Sequence, residues 1–113
     1  MAMRYADLTR ELEKLTIPFA EGAWRDAEDM QADYGVWAME SDARLIGDDG
    51  TAERQWRVAV HLLIWGGKGF SEARAVEDAM DDAGVSWQLV TSALLEDSGF
   101  THWHWIAYCI PED

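Results

Sequence analysis

Residues 54–65, RQWRVAVHLLIW, constrain the chain most, because their alternation suits a β-strand far better than a helix. The even positions Trp56, Val58, Val60, Leu62 and Ile64 are all apolar. The odd positions begin with Gln55, Arg57, Ala59 and His61 and turn apolar only at Leu63 and Trp65, so one face is wetter than the other. A long central strand of this kind has hydrogen-bonding edges on both sides and a greasy face. It needs neighbouring strands and a helix laid across it.

The flanking segments can supply both. Tyr5, Leu8, Leu12 and Leu15 recur at steps of three and four with charges between them, which predicts an amphipathic helix of about three turns ending near Thr16, since Pro18 disfavours helix at Ile17. A short strand is expected at 18–24, then an acidic loop holding Asp26, Glu28, Asp29 and Asp33. An extended run resumes at Tyr34. Leu45 and Ile46 lead into the turn sequence Gly47, Asp48, Asp49, Gly50, so a hairpin arm should join this run to the central strand. The glycines at 66, 67 and 69 punctuate the end of that strand. Ser71 is the candidate N-cap of a second helix over 71–83, with Ala73, Val76, Met80 and Ala83 as its buried stripe and Gly84 as its stop. Two β-rich runs, 85–95 and 100–110, flank the turn residues 96–99 and should pair antiparallel. The expected architecture is a single α+β domain over 1–113: a mixed, mostly antiparallel sheet, two main helices on one face and a protruding hairpin arm.

Charge and composition then exclude whole classes of function. Nine Lys and Arg against twenty-two Asp and Glu give 9 − 22 = −13, which repels phosphate backbones and anionic lipid and leaves protein surfaces as the expected partners. About half of the 113 residues are apolar, so the acidity does not imply disorder. Cys109 is the sole cysteine, so no intramolecular disulfide can form; a buried structural role in a reducing cytoplasm is expected for it. No secretory pattern and no membrane-length apolar run is present, which reads as a soluble, unexported chain.

Few constellations carry chemistry. His102 and His104 share one face of a predicted strand, and His61 on the central strand could neighbour them, which makes a possible zinc set. The spacing matches no named metal motif, and a half-exposed strand flanked by aromatics accounts for it equally. The carboxylates cluster in turns and on helix exteriors, where nothing drives two pKa values apart, so no catalytic pair and no cofactor is expected. Residues 66–69, GGKG, lack the further spacing of a phosphate loop. The seven tryptophans exceed what one small core readily closes over, so some should face a partner. Trp103 and Trp105, on the face opposite the histidines, are candidates, as is Trp65; the alternative is that the pair lies under a helix.

The joint order and spacing of LTRELEKLTIPFAEGAW (8–24), YGVW (34–37), LIGDD (45–49), RVAVHL (57–62), VEDAM (76–80), AGVSW (83–87) and LEDSGFTH (95–102) resemble the small tail-terminator or tail-completion proteins of long-tailed bacteriophages. The resemblance covers nearly the whole chain, though each piece alone is unspecific. It implies an α+β subunit that assembles as a ring, typically a hexamer, on the last ring of the tail tube. There it ends tube growth and offers a surface for head-tail joining. Binding, not catalysis, would be its work. The implied partners are further copies of itself, the major tail tube protein and the head-tail connector, in the tail or neck of a virion assembled in the host cytoplasm. Asp48, Asp49 and Gly50 of the arm join Trp65, Trp103 and Trp105 as interface candidates. An acidic channel wall would let DNA pass without sticking. A neck adaptor of the same size and an acidic decoy of a nucleic-acid-binding protein are the competing readings.

Overall fold

The computed structural model describes residues 4–22, 32–46, 52–95 and 99–110. In chain order these form α1 (Tyr5–Glu13), β1 (Phe19–Glu21), β2 (Tyr34–Ile46), β3 (Ala52–Trp65), α2 (Phe70–Asp82), β4 (Ser86–Leu95) and β5 (Phe100–Cys109). The five strands make one sheet in the order β1-β2-β3-β5-β4, with β1 parallel to β2 and every other pair antiparallel. This is the expected α+β fold, with residues 54–65 lying inside its central strand.

The even residues of β3 decide where the helices go. Val58, Val60, Leu62 and Ile64 form one cluster with Leu8 and Leu12 of α1 and with Ala73, Val76, Ala79 and Met80 of α2, so both helices lie on that face. Burying a side chain of this size contributes roughly 1.5–3 kcal/mol, which holds short helices that would not persist alone in water. At the start of α1 the Arg4 N–H donates to Asp7 Oδ2 at 3.3 Å, filling part of the first turn's need for acceptors and donors.

α2 begins one residue earlier than the sequence implies. Its N-cap is Gly69, not Ser71. Gly69 adopts φ 75°, and the first α-helical bond runs from the Ala73 N–H to the Gly69 carbonyl at 2.8 Å. A left-handed residue turns the chain here, and a Cβ at that position would strike the Ile64 side chain, so glycine outweighs the capping hydroxyl. At the other end Gly84, also at φ 75°, supplies the expected left-handed stop.

The β2–β3 hairpin is paired from Tyr34↔Leu63 out to Ile46↔Ala52, whereas β5 accompanies β3 only from Trp56 to Trp65. Residues 43–46 and 52–55 therefore project past the sheet as the expected arm, and the molecule measures 51 × 24 × 20 Å. The arm's turn, with Asp48, Asp49 and Gly50, lies outside the described residues, as do Trp24, the 25–31 part of the acidic loop and the 96–98 turn. The strand expected at 18–24 is shorter, Phe19–Glu21, and the Phe19 ring covers Gly35 of β2, where any Cβ would collide with it.

Candidate functional site

The alternation of Trp and His along β5 sorts two chemistries onto the two faces of the sheet. On the helix side, Trp105 opposes Val60 and Trp103 opposes Leu62, and α2 closes over both. Trp105 is 0% exposed and Trp103 8%, with their rings stacked at 6.0 Å. Each indole N–H finds an acceptor within the chain: Trp105 Nε1 donates to Glu77 Oε2 at 3.0 Å, and Trp103 Nε1 to the Lys68 carbonyl at 2.9 Å. The structure thus places these two interface candidates in the core, because an amphipathic helix covers their face and supplies a carboxylate where the ring needs one.

The same device absorbs most of the tryptophan surplus. Trp87 Nε1 donates to Asp81 Oδ1 at 2.8 Å, Trp37 Nε1 to the Tyr5 hydroxyl at 3.0 Å, and Trp56 meets the Tyr5 ring edge-on at 5.5 Å. Tyr5 in turn donates to Glu21 Oε2 and so ties α1 to β1 and β2. Burial first, then the bond to Glu21, pushes its pKa up to about 12. Nothing in the spacing pointed to this link, since Tyr5, Glu21 and Trp37 meet only when three elements pack.

On the opposite face the three histidines do come together. His61 and His104 are register partners stacked at 4.4 Å, His61 and His102 stack at 5.1 Å, and His61 Nδ1 lies 2.9 Å from His102 Nε2. Partial burial, followed by the neighbouring imidazoles, drives the pKa of His61 and of His102 down to about 4. That of His104 is also lowered by burial, against the opposing charge of Glu40. No hydrogen bond among the described residues reaches the buried His104 Nε2.

The closest approach within the set, His61 Nδ1 to His102 Nε2, is a hydrogen bond between two imidazoles, one ring N–H donating to the other ring's nitrogen. Among the described residues no group of three or more His, Cys, Asp and Glu side chains is arranged to hold a metal ion. Cys109 is buried at 2% exposure on the helix side, in the structural role expected of it.

The end of the sheet away from the arm carries exposed aromatics. Trp65 is 39% exposed and leans on Phe100 at 4.9 Å, while Phe70, 67% exposed, meets Trp103 edge-on at 5.9 Å. Asp33 anchors this end by accepting the Trp65 backbone N–H at 2.8 Å. Thr101 Oγ1 donates to the Gly67 carbonyl at 2.7 Å, so residues 66–69 serve as strand-to-helix punctuation bound to β5. A shallow depression of about 190 Å³ lies between Lys68, Phe70, Ser92, Ala93, Thr101 and Trp103. Its only titratable side chain is Lys68, which cannot form an acid–base pair by itself.

The fold recurs in a virion. A chain in the solved structure described as "Virion of native gene transfer agent (GTA) particle" superposes with a TM-score of 0.58 over 93% of this chain and 91% of that one. Sequence identity is 13%, so the likeness is one of fold. No protein-family model and no curated protein matches the chain.

Proposed function

We propose that this protein is a structural component of a phage-like virion that forms a ring on the end of the tail tube, halting tube growth and presenting a surface for head-tail joining. The observation that carries the reading is the near end-to-end likeness of fold to a chain of a gene transfer agent virion. The sequence resemblance to tail terminators and the projecting arm support the narrower position. In this reading the subunit works by docking. The arm, with Asp48, Asp49 and Gly50 in its turn, reaches a neighbour, and Trp65 at the far end offers apolar surface to the tube or connector. Trp103 and Trp105 hold α2 on the sheet and stabilise the subunit that docks. The partners are further copies of the chain, typically six, with the major tail tube protein and the head-tail connector. Chemistry plays no part.

Deleting the gene from a producing strain and imaging the particles tests this. Tails of irregular, excessive length that fail to join capsids are expected. Tails of normal length with unfilled, unjoined heads would move the protein to the neck, as an adaptor of the same size. Normal particles would end the proposal.

A further inference from the structure

The ring reading leaves open which surfaces join, and the two edges of the sheet bear on that. β4 is an outer strand ten residues long, Ser86–Leu95, and it contains no charged residue and no proline. Edge strands ordinarily carry such residues to prevent pairing with another chain. The omission is local, because charged residues make up 27% of the sequence. β4 also holds two exposed aliphatic side chains, Leu89 at 41% and Val90 at 51%, beside a bulge between Leu89 and Thr91.

Among the described residues the opposite edge is also open over most of its length. β1 pairs only with Gly35–Trp37 of β2. Among the described residues no strand lies outside the rest of β2, from Ala38 to Ile46, and Met39 there is 41% exposed. Met39 pairs with Val58, and Leu89 lies in the row of Trp105 and Val60, so both exposed side chains stand on the helix side of the sheet.

Strand direction decides what fits. β2 runs antiparallel to β3, β3 to β5, and β5 to β4, so β4 runs opposite to β2 within one molecule. Copies related by rotation about an axis parallel to the strands keep that relation. β4 of one copy set against β2 of the next therefore forms an antiparallel ladder, the same kind that joins the internal strands, with the helices of both copies on one side. We infer that the β4 edge is a subunit-joining surface whose occupant is the Ala38–Ile46 edge of a second copy of this chain, in a head-to-tail arrangement that closes into a ring. The inference rests on the ring reading above, but it concerns the contact and not the place in the particle.

Variants with one added cysteine test it, with Cys109 buried and the unsubstituted protein as control. Leu89→Cys and Met39→Cys alter exposed side chains, and circular dichroism checks that each variant folds. At concentrations where light scattering detects assembly, a short thiol–thiol cross-linker should join Leu89→Cys to Met39→Cys in a mixture and should join neither variant to itself. Val90→Lys, which puts a charge on the edge, should lower the assembled fraction at least tenfold while leaving the fold intact. Cross-linked dimers of Leu89→Cys alone would show β4 pairing with itself about a two-fold axis and would overturn the inference. So would assembly without cross-links in the mixture, undiminished assembly of Val90→Lys, or no assembly at any concentration. Particles with normal tails after gene deletion, together with a positive cross-link, would sink the tail-cap reading and leave this contact standing.

Discussion

The two faces of β5 differ in how their polar atoms are served. On the helix side Trp103 and Trp105 are large rings with one donor apiece, and the Lys68 carbonyl and Glu77 accept both. On the other side His61, His102 and His104 carry two nitrogens each, and one of these, His104 Nε2, is buried with no hydrogen bond among the described residues. An indole needs a single acceptor at its rim and can otherwise be wrapped in hydrocarbon. An imidazole must satisfy two positions, and burial suppresses its charged form as well. The helix face carries the larger core. The histidine face sets its three partly buried imidazoles beside a smaller apolar cluster of Tyr34, Val36, Leu63 and Phe100.

Trp105→Ala should show the contrast at its largest. It empties a fully buried site, removes the stack on Trp103 and leaves Glu77 without its donor. A loss of about 3–5 kcal/mol is expected, read from the denaturation midpoint. A loss under about 1 kcal/mol would mean that α2 is held by something other than this aromatic pair.

The histidine face should respond to acid instead. His61 and His102 have folded-state pKa values of about 4 against an ordinary 6.5, so between pH 6.5 and 4 the unfolded chain takes up protons that the folded chain refuses. The stabilising difference is fully present above pH 6.5 and is lost as pH falls toward 4. Solvent reaches these rings, so we expect about 1–2 kcal/mol in all, not the full 1.4 kcal/mol per unit for each. Thermal melts at pH 7 and pH 4.5, compared with a His61→Phe, His102→Phe double variant, isolate it from carboxylate titration. The acid-induced drop should shrink in the double variant. An equal drop in both proteins would place the acid sensitivity elsewhere.

How far the contrast was legible beforehand follows from its physics. Period-two alternation fixes which residues share a face, so the sequence predicted that the tryptophans oppose the histidines and that His61 could join the latter. It could not tell which face the helices cover, because Trp103 and Trp105 suit a core as well as an interface. That choice depends on the register of β5 against β3, which sets Trp105 beside Val60 and Trp103 beside Leu62. The Gly69 cap escaped for a related reason. Ser71 looks like a cap in one dimension, while the collision that reserves position 69 for glycine involves Ile64 of another element. The bare β4 edge, by contrast, was readable as an absence of charge, but becomes informative only once β4 is known to be outermost.

A smaller effect is expected where the helix face meets its rim. Tyr5→Phe keeps the ring against Trp56 but deletes the hydroxyl that donates to Glu21 and accepts from Trp37. Glu21 can turn to water, whereas the buried Trp37 donor cannot, so about 1 kcal/mol should be lost in a denaturant titration. A loss above about 3 kcal/mol would make this link the main tether of α1, ahead of Leu8 and Leu12.

His104→Phe should have the smallest effect on stability, and its sign tests the comparison directly. Phenylalanine keeps an aromatic ring stacked on His61 and removes Nε2, the buried atom that found no partner. Deleting an unserved polar group while preserving shape costs little or stabilises, so the midpoint should stay level or rise by up to ~1 kcal/mol. A clear loss of stability would mean that Nε2 is hydrogen-bonded in the folded protein and that the histidine face is as well served as the tryptophan face. If stability holds but cross-linking or tail joining fails, the face must meet a partner in the assembled particle. The unserved nitrogen would then be a binding contact whose acceptor or donor another chain supplies.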